Sequence, residues 1–241
     1  MIWVKNILSF LLFLSIIILF RFSYISQQSD YCEQINIEIS DFDHSLITTE
    51  EVRNILANVE KNLDSIPISE ISFFELEQSL ENHCYIKNAE VYFDSFGNIN
   101  VDVENKVPIV RIHKKNGDDF YLDEEGFRFP VSSNYTKNVL VANGFIEDSL
   151  DLKSILKVSH YVCKNSLWNS QITQVYINDK KEIELVPRVG NHIINLGNAD
   201  NLEEKFENLK LFYSQAVKQT GWRKYKEINL KYKNQIVCVK R

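Results

Sequence analysis

One stretch constrains this chain more than any other: an uncharged apolar run from Asn6 to Phe20 (NILSFLLFLSIIILF), with Lys5 before it and Arg21 after it. A helix that crosses a bilayer needs about 20 mainly apolar residues, so the strict run alone is short. The long Arg21 side chain can snorkel to the headgroups. Phe22, Tyr24 and Ile25 then prolong the apolar stretch, and Ile7 to Ile25 spans roughly 28 Å at the helical rise. Trp3 and Tyr24 stand where the two interfacial aromatic belts would lie. A cleaved signal peptide would share the charged start and apolar middle but end in a small-residue cleavage site. Residues Arg21 to Gln28 (RFSYISQQ) hold no such pair. The reading is a transmembrane helix over residues 6–25 behind a tail of residues 1–5. Lys5 and Arg21 nearly cancel as topology signals. The small tail and the large following part favour the N-terminus inside and the rest outside the cytoplasm.

The remainder reads as folded α+β protein. Apolar content of 44% and charged content of 25% argue against wholesale disorder, and 7 Gly with 4 Pro leave little room for long linkers. Net charge is −6, so a nucleic-acid partner has no electrostatic basis. Gln34 to Ser40 alternates through Ile35, Ile37 and Ile39 as a half-buried strand. Thr48 with Glu51 has the spacing of a capping box, and Val52, Ile55, Leu56 and Val59 then mark one helix face. Ser72 with Glu75 opens a second helix with the stripe Phe73, Leu76, Leu80. Ala89–Val91–Phe93 and Ile99–Val101–Val103 are alternating strands around the turn Ser95 to Asn98. The order β-α-α-β-β predicts two helices on one face of a three-stranded sheet, over residues 34–106.

Residues 107–241 carry a different pattern. Val107 to Ile112 reads as a strand, His113 to Asp119 as a polar hairpin loop, and Phe120 to Asp123 as a strand that enters the turn Glu124-Glu125-Gly126. Val139 to Ala142 is a short strand. Leu152, Ile155, Leu156, Ser159 and Val162 share a helix face. Three antiparallel strands follow (Ile172–Ile177, Ile183–Val189, His192–Leu196), then a helix from Leu202 to Gln219 stopped by Gly221. Lys226–Tyr232 and Gln235–Val239 form a last hairpin about Lys233-Asn234. The expectation is an antiparallel β-domain with flanking helices.

No catalytic constellation stands out, and the chain reads as a non-enzymatic binding protein without cofactor. The five histidines are dispersed, with no HExxH spacing, and GxSxG, P-loop and GxGxxG motifs are absent. Asp41-Phe42-Asp43-His44 carries metal-ligand atoms but sits where turn residues gather. Asp123 to Gly126 lacks the calcium-loop spacing. The cysteines (Cys32, Cys84, Cys163, Cys238) form no CxxC pair. Spacing leaves their pairing open; Cys32 with Cys84 is the pair to consider outside the cytoplasm.

The segment order resembles a POTRA domain. Leu46 to Val52 with Ile55-Leu56 is similar to the first POTRA helix of the FtsQ/DivIB cell-division family, and Leu76 to Val110 (LEQSLENHCYIKNAEVYFDSFGNINVDVENKVPIV) to its helix–strand–strand run. Tyr121 to Phe129 (YLDEEGFRF) resembles that family's L-V-D-x-x-G-x-x-F, and Ile228 to Tyr232 its V-D-L-R-Y strand. His83-Cys84 stands in place of the usual Asn-Pro, Val110 in place of a common Ala, and Ser132 to Ser170 matches weakly.

The resemblance implies a single-pass protein of the inner (plasma) membrane, its C-terminal domain in the periplasm at the division septum. There it would link early division proteins to septal peptidoglycan machinery by binding FtsB- and FtsL-like membrane proteins. It implies that the partner adds a strand at the edge from Ile228 to Val239. Tyr232 holds the family's aromatic contact position. Asn234 and Gln235 flank it, Leu230, Ile236 and Val237 belong to the same edge, and Trp222 and Tyr225 form a rim. Thr49, Glu50 and Arg53 mark a recruitment surface on the POTRA domain. The alternative is a POTRA-containing envelope binding or assembly module unrelated to division. An outer-membrane barrel factor lacks the repeated ten-residue strands it would need.

Overall fold

Between Asn105 and Lys106 the chain divides into two units. The computed structural model describes residues 12–21, 31, 32, 34–61, 63 and 65–241. Of the expected membrane helix, residues 12–21 are helical and expose Leu12 to Phe20, while 6–11 and 22–25 lie outside the described residues. Among the described residues no helix is long and apolar enough to cross a membrane.

The first unit runs β1 (Gln34–Ile39), α1 (Thr49–Val59), α2 (Phe73–Glu81), β2 (Ile86–Phe93) and β3 (Asn98–Asn105). Its sheet order is β1-β3-β2, with β1 parallel and β2 antiparallel to β3. The Thr48 capping box is complete: Thr48 Oγ1 accepts from the Glu51 amide at 3.2 Å, and Glu51 Oε2 accepts from the Thr48 amide at 2.8 Å. Ser72 Oγ accepts from the Glu75 amide at the start of α2. Val52 and Leu56 of α1, with Leu76 and Leu80 of α2, bury against Val91, Ile99, Val101 and Val103. Val59, the last residue of α1, is 37% exposed and does not join Val52 and Leu56 in the core.

Asp94 fixes the β2–β3 turn. Its carboxylate accepts from the main-chain amides of Asn98 and Phe96 and the side-chain amides of Asn98 and Asn100, and the Asn98 amide leads in holding its pKa down to about 2. Asn105 closes the opposite end, donating to the Ser40 carbonyl at 2.7 Å and accepting from Ser45 Oγ at 3.0 Å.

The second unit is a nine-stranded sheet in the order β12-β11-β10-β9-β8-β7-β4-β5-β6. The strands are β4 (Pro108–Lys114), β5 (Asp119–Asp123), β6 (Arg128–Pro130), β7 (Leu140–Gly144), β8 (Ile172–Ile177), β9 (Ile183–Pro187), β10 (Ile193–Gly197), β11 (Tyr225–Asn229) and β12 (Val237–Lys240). The expected all-antiparallel sheet is corrected to a mixed one: β4/β7, β7/β8 and β10/β11 are parallel. The inserted helices explain two of these pairs. α3 (Ser149–Lys164) and α4 (Ser166–Gln171) carry the chain from β7 back to the start of β8, and α5 (Leu202–Phe212) does so from β10 to β11. Parallel neighbours require such crossovers, and strand alternation carries no record of direction.

β4 also runs further than expected. His113 pairs with Asp119, and Arg111 binds the Asp119 carboxylate through two guanidinium nitrogens, so the hairpin turn shrinks to residues 115–118. On α3 the buried stripe is Ile155, Val158, Ser159 and Val162, with Leu152 and Leu156 half-buried beside it. The expected single helix from Leu202 passes into a π-helical stretch (Tyr213–Val217) before a last turn (Lys218–Thr220). Gly221, at φ +77°, ends it. Trp168, Phe206, Leu209, Ile194 and Ile228 join the helices to the sheet. Cys32, Cys163 and Cys238 are free thiols, so the Cys32–Cys84 disulfide is not formed.

A candidate partner-binding edge

Among the described residues β12 pairs on one side alone, with β11. Register sets its two faces. Cys238 lies opposite Ile228 and packs against the core, while Val237 and Val239 lie opposite Asn229 and Glu227 on the other face. That outer face carries three half-exposed aliphatic side chains close together: Val237 (44%), Val239 (47%) and Ile193 (43%), the last paired with Glu227. The register shifts between Tyr225 and Glu227, so β11 has one residue more than β12 there, a bulge that adds twist at the edge.

The direction of the main-chain groups follows from one bond. The Arg241 amide donates to the Lys224 carbonyl at 3.2 Å, so Arg241 faces β11. Alternation along a strand then turns the amides and carbonyls of Val239 and Val237 inward and those of Cys238 and Lys240 outward. An incoming strand would meet these outward groups.

The other expected contact residues divide by burial. Tyr232 is 50% exposed, at the rim of a recess of about 250 Å³ between α5 (Asn201, Glu204, Lys205, Asn208) and the β11–β12 connection. Asn234, in the left-handed region at φ +58°, and Gln235 are exposed beside it, and Ile236 is half-buried against the core. Ile228 (0%) and Leu230 (3%) are core side chains and offer a partner no surface, because the helix-covered face of β11 takes them.

Trp222 is tied into an aromatic group instead of standing free. It stacks on His192 (centroids 6.0 Å, planes 12° apart) and meets Tyr213 edge-on at 4.9 Å. Tyr225 packs on Phe212 at 5.3 Å. His192 is 3% exposed, with Nε2 at 2.9 Å from Tyr213 Oη. Burial pushes its pKa below the ordinary imidazole value, and the Arg241 charge adds to this. The Arg241 guanidinium donates to the Asn191 carbonyl. His192 and Arg241 carried no motif; their roles depend on three strand ends meeting, which appears only once β10, β11 and β12 are ordered side by side.

On the first unit, Glu50 and Arg53 are exposed and Thr49 is half-buried in the first turn of α1. Arg53 lines a recess of about 480 Å³ between α1 and the start of β1. His44 Nδ1 lies 3.0 Å from Asp41 Oδ1, and among the described residues no three His, Cys, Asp or Glu side chains converge as a metal site.

A family model described as FtsQ/DivIB, C-terminal related, matches residues 107–239, more than half the chain and nearly the whole nine-stranded unit. The chain belongs to the FtsQ/DivIB family. A POTRA-like domain model matches residues 30–104, the β-α-α-β-β unit. β12 lies inside the FtsQ/DivIB match except for its last residue. No curated protein matches the chain. FtsQ/DivIB and POTRA-like domains are non-catalytic scaffold domains, so the chain is read as a division-related scaffold.

Proposed function

We propose that this chain is a non-enzymatic divisome scaffold, anchored through residues 6–25 with its N-terminus inside, that captures FtsB- and FtsL-like membrane proteins at the septum by strand addition to β12. Its POTRA domain (34–106) and β-domain (107–241) would lie outside the cytoplasm. The single observation that carries this reading is the one-sided pairing of β12, with the peptide groups of Cys238 and Lys240 turned away from β11 and a half-exposed Val237–Val239–Ile193 strip beside them. A partner strand would satisfy the outward groups, while its alternate side chains rest on the aliphatic strip.

The test combines localisation with capture. A fluorescent fusion is expected to gather at mid-cell during division, and FtsB- and FtsL-like proteins are expected to co-purify with the wild-type chain. Uniform envelope fluorescence through the cell cycle would favour the envelope-assembly alternative.

A further inference from the structure

We infer that the end of the POTRA domain carrying the β2–β3 turn docks into the headgroup region of a lipid bilayer, with Phe96 as its deepest side chain. This rests on the anchoring reading of residues 6–25. Gln34 pairs with Asn98, so the start of β1 and the β2–β3 turn are at the same end of the sheet. Phe96 sits on that turn and is 80% exposed. Asp94 holds the turn through its bonds to the Phe96 and Asn98 amides, so the ring is presented from a fixed loop.

Other exposed apolar side chains collect at this end. Tyr31 (54%) precedes β1 and bridges to Pro67. α2 runs back along β2, where Glu77 accepts the Val91 amide, and this brings its first turn with Phe74 (69%) toward the turn. Val59 (37%) ends α1 and precedes Glu60, which lines a recess with Gln34 and Ile35 of β1. Phe42 (63%) lies beyond the far end of β1, about 20 Å away along the strand. Exposed aromatics gathered at one end are costly in water and suited to a bilayer interface.

The tether's point of entry argues for the bilayer as the occupant, because the chain coming from the anchor joins the domain at this same end. Only residues 26–33 separate the anchor from β1, and eight residues reach at most about 26–29 Å. β2 alone, at eight residues, spans about 26 Å. The β1-start end therefore stays within about 26–29 Å of the end of the anchor, while the far end of the sheet can lie about twice as far away.

The test uses the full chain reconstituted in phosphatidylcholine–phosphatidylglycerol vesicles, with bromines on acyl carbons near the glycerol in half of the preparations. Phe96→Trp and Phe42→Trp each add one indole at an exposed site, so neither disturbs the core. The Phe96→Trp increment is expected to shift to the blue and lose most of its emission in brominated vesicles; the Phe42→Trp increment should keep it. Equal, weak quenching of both overturns the docking. Alkaline carbonate extraction separates the two readings: a chain that washes out defeats the anchor, whereas one that stays with Phe96→Trp unquenched defeats the docking alone. If Phe96→Asp abolishes partner capture while a Phe74→Trp indole is unquenched by brominated lipid, the aromatic end is a protein-binding surface and the bilayer inference is wrong.

Discussion

Arg241 donates its main-chain amide to the carbonyl of Lys224, and this contact at 3.2 Å fixes which way each peptide of β12 faces. It separates positions along the strand that side-chain pattern alone treats as equivalent. Lys240→Pro removes an outward amide and leaves the β11 ladder intact, so it should retain the fold and lose partner capture. Val239→Pro removes an amide that points to β11 and should loosen the edge itself, as should Val237→Pro. Hydrogen exchange of β11 amides alongside co-purification checks both, and normal capture by Lys240→Pro would count against strand addition.

Burial predicts opposite outcomes for two neighbours on the final hairpin. Ile228→Ala should cost about 2–5 kcal/mol, the usual range for truncating a buried aliphatic side chain. Val239→Lys, half-exposed on the outer face and opposite Glu227, should change stability by no more than about 0.5 kcal/mol. It should nevertheless weaken capture, by placing a charge against the incoming strand. Urea midpoints and co-purification from the same preparations separate these effects.

Tyr232 stands half-exposed at the rim of the α5 recess. Tyr232→Glu should leave the unfolding transition near wild type and reduce partner capture. Undiminished capture would return Tyr232 to the role of an ordinary loop residue.

His192 should make stability fall as the medium is acidified. Its folded-state pKa lies below the ordinary 6.5, so under acid the unfolded chain takes the proton first. The neutral ring therefore supports the fold fully above that value, and the support declines as pH drops below it. Tyr213 from the π-helical stretch, Trp222 ahead of β11 and Arg241 at the end of β12 face the ring, and none is an anion that would welcome its charge. His192→Phe should flatten the change in urea midpoint between pH 7 and 5 relative to wild type. An identical slope in both proteins would remove His192 as the cause.

Local rules made the first unit readable: Thr48 and Glu51 announced α1, Ser72 announced α2, and the alternation at Ile35, Val91 and Val101 assigned three strands whose faces the structure retains. The same rules stopped short in the second unit for an identifiable reason. Ile172–Ile177 alternates in the same way whether its neighbour runs with it or against it, so the parallel pairs were hidden until α3 and α4 were seen to cross between β7 and β8. At the candidate site, sequence located the edge but not its facing. Ile228 and Val237 share one hairpin and one aliphatic character; only pairing to β10 and cover by the helices make the first core and the second surface.

The far edge of the large sheet bears on how assemblies of this protein end. β6 is three residues long, buries Phe129 and finishes in Pro130, which has no amide to offer. If partners add a strand at β12, the proline at β6 disfavours the same growth at the other margin, and copies would not chain head to tail through their sheets. Under the proposed capture at β12, each molecule would take one added strand and the series would stop, which would make the stoichiometry of capture a property of the sheet's two unequal margins.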